Sequence, residues 1–183
     1  MRFASEDLKN EHNGILHGLK ILERIVQILN RNGHVDIDDI KNIISFFIIF
    51  ADKCHHGKEE TIFFPAIKEI GNNDTNELIH ELMKEHKDGR LFLQQMESAF
   101  KINAFDSHDF RSGAENYTKL IKPHIDNENA RLFPFADSHL DSTQQTELLA
   151  KFEEFENTIM GSGIHDNLHT MLGRLEKLYL ISS

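Results

Sequence analysis

The chain has one cysteine, three prolines and no tryptophan among its 183 residues. A lone cysteine rules out an internal disulfide and fits a reducing compartment. With so few prolines and only ten glycines, long stretches carry no helix breaker, and the expectation is an all-α protein. Basic residues are also scarce. Twenty Lys and Arg stand against 30 Asp and Glu, a formal net charge of −10. Nucleic acid binding needs a concentrated basic face, so no nucleic acid partner is expected. Long apolar runs are missing as well: the densest, Ile43 to Ala51, is too short to span a bilayer. The opening Met1 to Asp7 lacks the apolar core of a signal peptide. The expected setting is therefore cytoplasmic, with no membrane partner.

Hydrophobic residues at 39% and charged residues at 27% are ordinary for a globular chain of one domain. Apolar spacing predicts helices from about Ser5 to just before Asn32-Gly33, from Asp36 to Ile70, from Thr75 to Phe100 and from Asp106 to Phe133. Pro65 is expected to kink or end the second helix, because it lacks an N–H and crowds the preceding turn. Pro123 is expected to bend the fourth. A Ser-x-x-Gln capping box at Ser142–Gln145 predicts a fifth helix ending near Gly161-Ser162-Gly163. A last short helix would bury Leu168, Leu172, Leu175 and Leu178. The whole reads as an antiparallel up-down four-helix bundle over residues 1–139, with a helical C-terminal extension over 140–183 packed on it.

The unusual count is twelve histidines. His55-x-x-x-Glu59, followed by Phe64-Pro65, returns as His124-x-x-x-Glu128, followed by Phe133-Pro134, every member 69 residues on. The doublet Glu11-His12 returns as Glu85-His86. Residues three and four apart share a helix face. On that grid His12 falls with Leu8, Ile15 and Leu19, and His55 with Phe47, Ala51, Glu59 and Ile62. His86 falls with Ile79, Leu82 and Leu93, and His124 with Tyr117, Ile121, Glu128 and Leu132. Each helix thus presents one inward His, and two present an inward Glu one turn later. His17 and His80 sort outward, and His34, His108 and His139 fall at helix ends. His56 shares its side with Asp52 and Glu60 and reads as solvated, with an outer partner to the metal ligands as the alternative. His165 and His169 are spaced four apart but have neither a carboxylate partner nor a repeat.

A single inward His is usually a hydrogen-bonded core residue, whereas an unpaired buried carboxylate costs several kcal/mol or more. Glu59 and Glu128 therefore need a cation or a proton. The same grid offers no inward Lys, and only Arg90 and Arg131 lie near these faces. A metal is the economical explanation. Four imidazoles and two carboxylates exceed what one tetrahedral zinc takes. They suit two octahedral first-row ions bridged by the carboxylates, and nitrogen plus oxygen without sulfur points to iron or manganese, with zinc as a substitute. Open positions would then remain for a small exogenous ligand. Other metal motifs fail on spacing: only Glu77-Leu78-Ile79-His80 fits a Glu-x-x-His unit, and His80-Glu81 is followed by Lys84 where a zincin needs His.

Together, Glu11-His12, His55-x-x-x-Glu59 with Phe64-Pro65, Glu85-His86 and His124-x-x-x-Glu128 with Phe133-Pro134 resemble the hemerythrin-like, or HHE cation-binding, family. The resemblance spans residues 11–134. It implies a four-helix bundle around two non-haem iron ions, Fe2+ or Fe3+, with an oxo or hydroxo bridge. His12, His55, His86 and His124 would be terminal ligands, with Glu59 and Glu128 bridging. Oxygen-carrying members place another His one turn after the third-helix His, where this chain has Arg90, and end the last motif with Asp where it has Glu128. The set is closer to hemerythrin-like proteins of oxygen and nitrosative stress. The expected ligands are O2, peroxide or NO, with a separate electron donor or output partner. The alternatives are a peroxide or NO reductase and an iron donor for iron–sulfur repair. Tyr117, two turns before His124, and Arg90 are candidates to contact the bound ligand, Tyr117 by hydrogen bonding and Arg90 by its charge.

Overall fold

The computed structural model describes residues 2–101, 104–161 and 163–181. Four long helices form the bundle. The first, α1 (Ala4–Asn30), carries Glu6 and Asp7 in its first turn, where negative charge complements the dipole. It stops where Asn32 takes φ 55° and the Gly33 amide returns to the Ile28 carbonyl at 2.9 Å. A Cβ at Gly33 would lie 2.6 Å from Ile28 Cγ2. The second helix, α2, runs unbroken over 37–70, capped by the Asp36 carboxylate on the Asp38 amide. The third, α3 (Asn73–Ser98), is capped by Asn72. A short antiparallel hairpin pairs Phe100 with Phe105 and leads to α4, which covers 107–139. Two more helices, α5 (Ser142–Met160) and α6 over 164–181, complete the all-α fold. Among the described residues, no helix is long and apolar enough to cross a membrane.

Neither proline ends its helix. Before Pro65 and again before Pro134 the backbone widens into π-turns, over Glu59–Phe63 and Glu128–Leu132. The Phe64 amide bonds to the Glu59 carbonyl, and the Phe133 amide to the Glu128 carbonyl, both five residues back. The proline that follows has no N–H to place, so the wider register ends there without an orphaned donor. A longer π segment covers Phe47–His56. Pro123 lies inside α4, which also continues through it.

The cap of α5 differs from the expected box by one residue. Asp141 is the N-cap, and Gln144 reaches back to its amide. That frees Gln145, which is buried and accepts the Ala4 amide at 2.8 Å. The expected turn includes Gly161 and Gly163, both at positive φ, while Ser162 lies outside the described residues. On α6, Leu168, Leu172 and Leu175 are buried but Leu178 is 49% exposed. A π-turn over Lys177–Ile181 advances the inner face by one residue, so Tyr179 is buried instead and donates to Asp39 at 2.7 Å.

The apolar core is in two parts. One gathers Ile15 to Val26 of α1 with Ile40 to Cys54 of α2, Leu93 and Met96, Phe110 to Ile125, and α6. The other gathers Leu8, Phe63, Phe64, Ile67, Leu78, Leu82, Leu132, Phe133 and Phe152. On every long helix the polar inward residues fall between these two clusters.

Candidate metal centre

The intervening layer contains His12, His55, His56, Glu59, His86, His124 and Glu128, each at most 3% exposed. Four imidazoles have their Nδ1 held from behind. His55 Nδ1 meets Glu11 Oε2 at 2.8 Å, and His124 Nδ1 meets Glu85 Oε2 at 2.7 Å. His86 Nδ1 meets Glu60 Oε1 at 2.8 Å, and His12 Nδ1 meets Asn129 Oδ1 at 3.1 Å. All four partners are acceptors, so each Nδ1 carries the proton and each Nε2 turns a lone pair inward.

The internal repeat explains this scaffold. The Glu of each Glu-His doublet holds the His of the next helix: Glu11 serves α2 and Glu85 serves α4. The residue after each inward Glu holds the remaining pair, Glu60 on His86 and Asn129 on His12. The recurring doublets therefore encode the outer hydrogen bonds as well as the inner groups.

Inside the layer these lone pairs face oxygen or one another. His12 Nε2 lies 3.1 Å from Glu128 Oε2, and His124 Nε2 lies 3.4 Å from the same oxygen. Glu59 offers Oε1 to His55 Nε2 at 3.4 Å and Oε2 to His86 Nε2 at 3.5 Å. His86 Nε2 and His124 Nε2 stand 3.2 Å apart. With both rings neutral and protonated at Nδ1, that approach has no hydrogen between the two nitrogens, whereas a proton-bound His124 donates one. Both oxygens of Glu59 and of Glu128, with His12 Nε2 and His55 Nε2, have no hydrogen-bond partner among the described residues. Buried groups of this kind are normally paired. A cation satisfies all of them together, so the donor set fits a metal.

The electrostatics agree. Burial, and then the charge of Glu128, push the Glu59 carboxyl well above the usual range. Burial would also raise Glu128, but His124 and His12 outweigh it and hold that carboxyl low. Burial and the neighbouring histidines push His55 and His86 well below the ordinary imidazole value. For His124, burial is outweighed by Glu128 and Glu85, and its pKa rises. Ligand atoms converge in two groups, each within 4.8 Å: His12, His55, Glu59 and Glu128, and His56, Glu59, His86 and His124. Glu59 belongs to both.

The sequence profile of the hemerythrin HHE cation binding domain matches residues 4–136. The chain belongs to this family. Comparison with curated proteins and with solved structures finds no match. The hemerythrin profile covers the four helices that carry the cluster, and α5 and α6 follow it in the chain.

Within this hemerythrin domain the structure brings together all six residues singled out as ligands. Four other expectations change. His56 is buried, not solvated, because the π segment ending there turns consecutive residues 55 and 56 both inward. Lys58 is an inward lysine, 1% exposed, with Nζ on Glu11 and 3.6 Å from Glu156. Burial raises the Glu11 carboxyl, and the Lys58 charge opposes that rise without cancelling it. Arg90 does not project into the cluster: Nε donates to Asp52 at 2.7 Å and Nη2 to Glu60 at 2.8 Å. Arg131 is exposed.

Tyr117 is fully buried, edge-on to Phe47 at 5.0 Å, and its hydroxyl has no partner among the described residues. Burial raises its pKa, so it stays protonated. His80 is exposed, and His17 is half-buried near Glu176 at 3.7 Å. His165 and His169 approach to 3.3 Å on the surface of α6. Cys54 is buried, and burial pushes its thiol up to about 12, well out of the reactive range.

Proposed function

We propose that this hemerythrin domain is a non-haem di-iron protein that binds O2, peroxide or NO in oxygen or nitrosative stress. His12, His55, His86 and His124 would be terminal ligands, and Glu59 and Glu128 would bridge. The observation that supports it best is the convergence of buried imidazole and carboxylate groups in two sets that share Glu59, with His86 Nε2 facing His124 Nε2 at 3.2 Å. Imidazole and carboxylate donors without thiolate suit iron, with manganese or zinc as substitutes. Two iron ions there would supply electrons and open coordination positions for a small ligand.

The chain's own residues do the rest. Glu11, Glu60, Glu85 and Asn129 fix each ring's tautomer and direction, and the three carboxylates among them also raise ring basicity. The apolar clusters on either side exclude water and strengthen each charge interaction within the layer. Tyr117 packs beside Gly89, one turn beyond His86. Its protonated hydroxyl is a donor suited to a bound oxygen species. Turnover would require an external electron donor, and signalling a separate output partner, in the cytoplasmic setting that the lone cysteine favours.

The test is anaerobic reduction of iron-loaded protein, followed by exposure to O2, H2O2 or NO. The expected result is about two irons per chain and a reversible spectral adduct. Rapid conversion to an oxidised form with catalytic loss of peroxide or NO would move the assignment to an oxidoreductase. Loss of iron to a mild chelator would move it to iron donation. Retention of one metal ion or none under iron-replete loading would overturn the di-iron reading.

A further inference from the structure

Outside the buried layer a second pair of imidazoles converges. His165 and His169 lie one turn apart on α6, with their Nε2 atoms 3.3 Å from each other. Their ring centroids are 4.4 Å apart and their planes cross at 64°, so the rings lean together at the Nε2 ends. Two Zn–N bonds of about 2.0–2.1 Å at the tetrahedral angle set their nitrogens about 3.3–3.4 Å apart. The pair matches that span as it stands. Phe50 of α2, itself buried, backs both rings, at 6.1 Å from His165 and 6.3 Å from His169. His169 is exposed and His165 half-buried, so an ion can arrive from solvent. A single N–H···N hydrogen bond also fits the distance, but water satisfies exposed rings equally well and such a bond adds little. Burial and then the neighbouring His165 ring lower the His169 pKa, so near neutral pH this imidazole has a lone pair to give.

The start of α6 gives the pair a purpose. The chain enters the helix through Gly161 and Gly163, both at positive φ, and Gly163 is its N-cap. No side chain there accepts the first amides, whereas Asp36, Asn72, Asp106 and Asp141 do so for α2 to α5. Residues four apart meet on one face only while the segment is helical. An ion held by both rings therefore binds the helical state and stabilises it. The helix dipole opposes a cation near this end, and Asp166 in the first turn offsets that opposition.

We propose that His165 and His169 chelate one divalent cation that favours imidazole, with zinc as the type, and that this ion fastens the first turns of α6. Copper and nickel share the preference. Among the described residues no third His, Cys, Asp or Glu converges with the pair, so water completes the shell and the ion exchanges with solvent. The same helix buries Leu168, Leu172 and Leu175 against the bundle, and its occupancy by metal thus bears on how firmly the C-terminal extension docks. The proposal does not rest on the di-iron reading.

The experiment uses the full, iron-loaded chain with Zn2+ as the probe. Calorimetric titration is expected to show one zinc per chain outside the inner layer. His165→Ala and His169→Ala each leave a single imidazole and should weaken that binding about tenfold or more. The double variant should weaken it no further, the non-additivity that marks chelation. His80→Ala, which removes a lone exposed imidazole, should leave it unchanged. Each variant is compared with its parent, so the outcome holds whatever the inner layer contains, and iron measured in the same samples tests that layer separately. Zinc binding that ignores both substitutions, falls equally in His80→Ala, or declines additively in the double variant would overturn the proposal. With Zn2+ at about ten times its Kd, amide hydrogen exchange over 164–170 is expected to slow about tenfold in the parent and not in His169→Ala. Unchanged exchange in the zinc-bound parent would overturn the fastening of α6.

Discussion

Lys58 on α2 closes its ammonium on Glu11 of α1, and the other oxygen of that carboxylate holds His55. Lys58 is 1% exposed and Glu11 14% exposed, so each is costly without the other. Phe152 of α5 lies 5.6 Å from the ammonium and Glu156 lies 3.6 Å from it, so the fifth helix is part of the same arrangement. Lys58→Met is expected to destabilise the metal-free protein by about 3 kcal/mol. Adding Glu11→Gln should recover part of that loss, because the stranded charge is then gone. Urea denaturation of the two variants measures both numbers.

Removing either inward carboxylate should separate the two metal positions. Glu59→Ala or Glu128→Ala is expected to reduce iron to about one ion or fewer per chain, whereas His17→Ala and His80→Ala leave it unchanged. Metal analysis after iron-replete loading decides this. Equal losses in all four variants would refute the division between inward and outward groups.

The metal-free protein should lose stability as pH rises above 6.5. Glu59 and His124 both have raised pKa values in the fold, so folding favours their proton-bound forms. That contribution is full below their unfolded values and disappears as pH climbs through the folded ones. The lowered values of His55, His56 and His86 act in the opposite sense, but only below about 6.5, since above it they are neutral in both states. Thermal melts of metal-free protein between pH 6.5 and 8.5 should therefore show a falling midpoint. Glu59→Gln should flatten the decline.

The close contact between α3 and α4 depends on Gly113. A Cβ there would sit 2.9 Å from Met96 Cγ, 3.1 Å from the Phe92 carbonyl and 3.3 Å from the Met96 amide nitrogen. The methionine side chain can swing away, but the backbone atoms cannot. Gly113→Ala is expected to cost about 1–3 kcal/mol through overpacking. A lowered urea midpoint would show it.

Much of the fold could be read from the sequence because the helices are long, periodic and rarely interrupted. The six inward groups were legible for the same reason, with an internal repeat to mark them. His56, Lys58 and Tyr179 were not. All three lie in, or just beyond, stretches where the helix widens, and there a grid based on 3.6 residues per turn assigns the wrong face. The Phe-Pro that follows each inward Glu was visible in the sequence, but its effect on the preceding turn becomes clear only from the Phe64 and Phe133 amides reaching five residues back. The Glu11-His12 and Glu85-His86 doublets were visible too. Their pairing across helices depends on how neighbouring helices are staggered, which a one-dimensional pattern does not contain.

The amide of Ala4 is satisfied by Gln145, a side chain 141 positions downstream. A ribosome making this chain finishes the last of the metal-gripping residues before it reaches that glutamine. Until then the first turn of the helix bearing His12 is held by other contacts, such as the Ser5 hydroxyl on Asp137, and lacks this one. A nascent chain therefore completes its set of donors before this one latch can close.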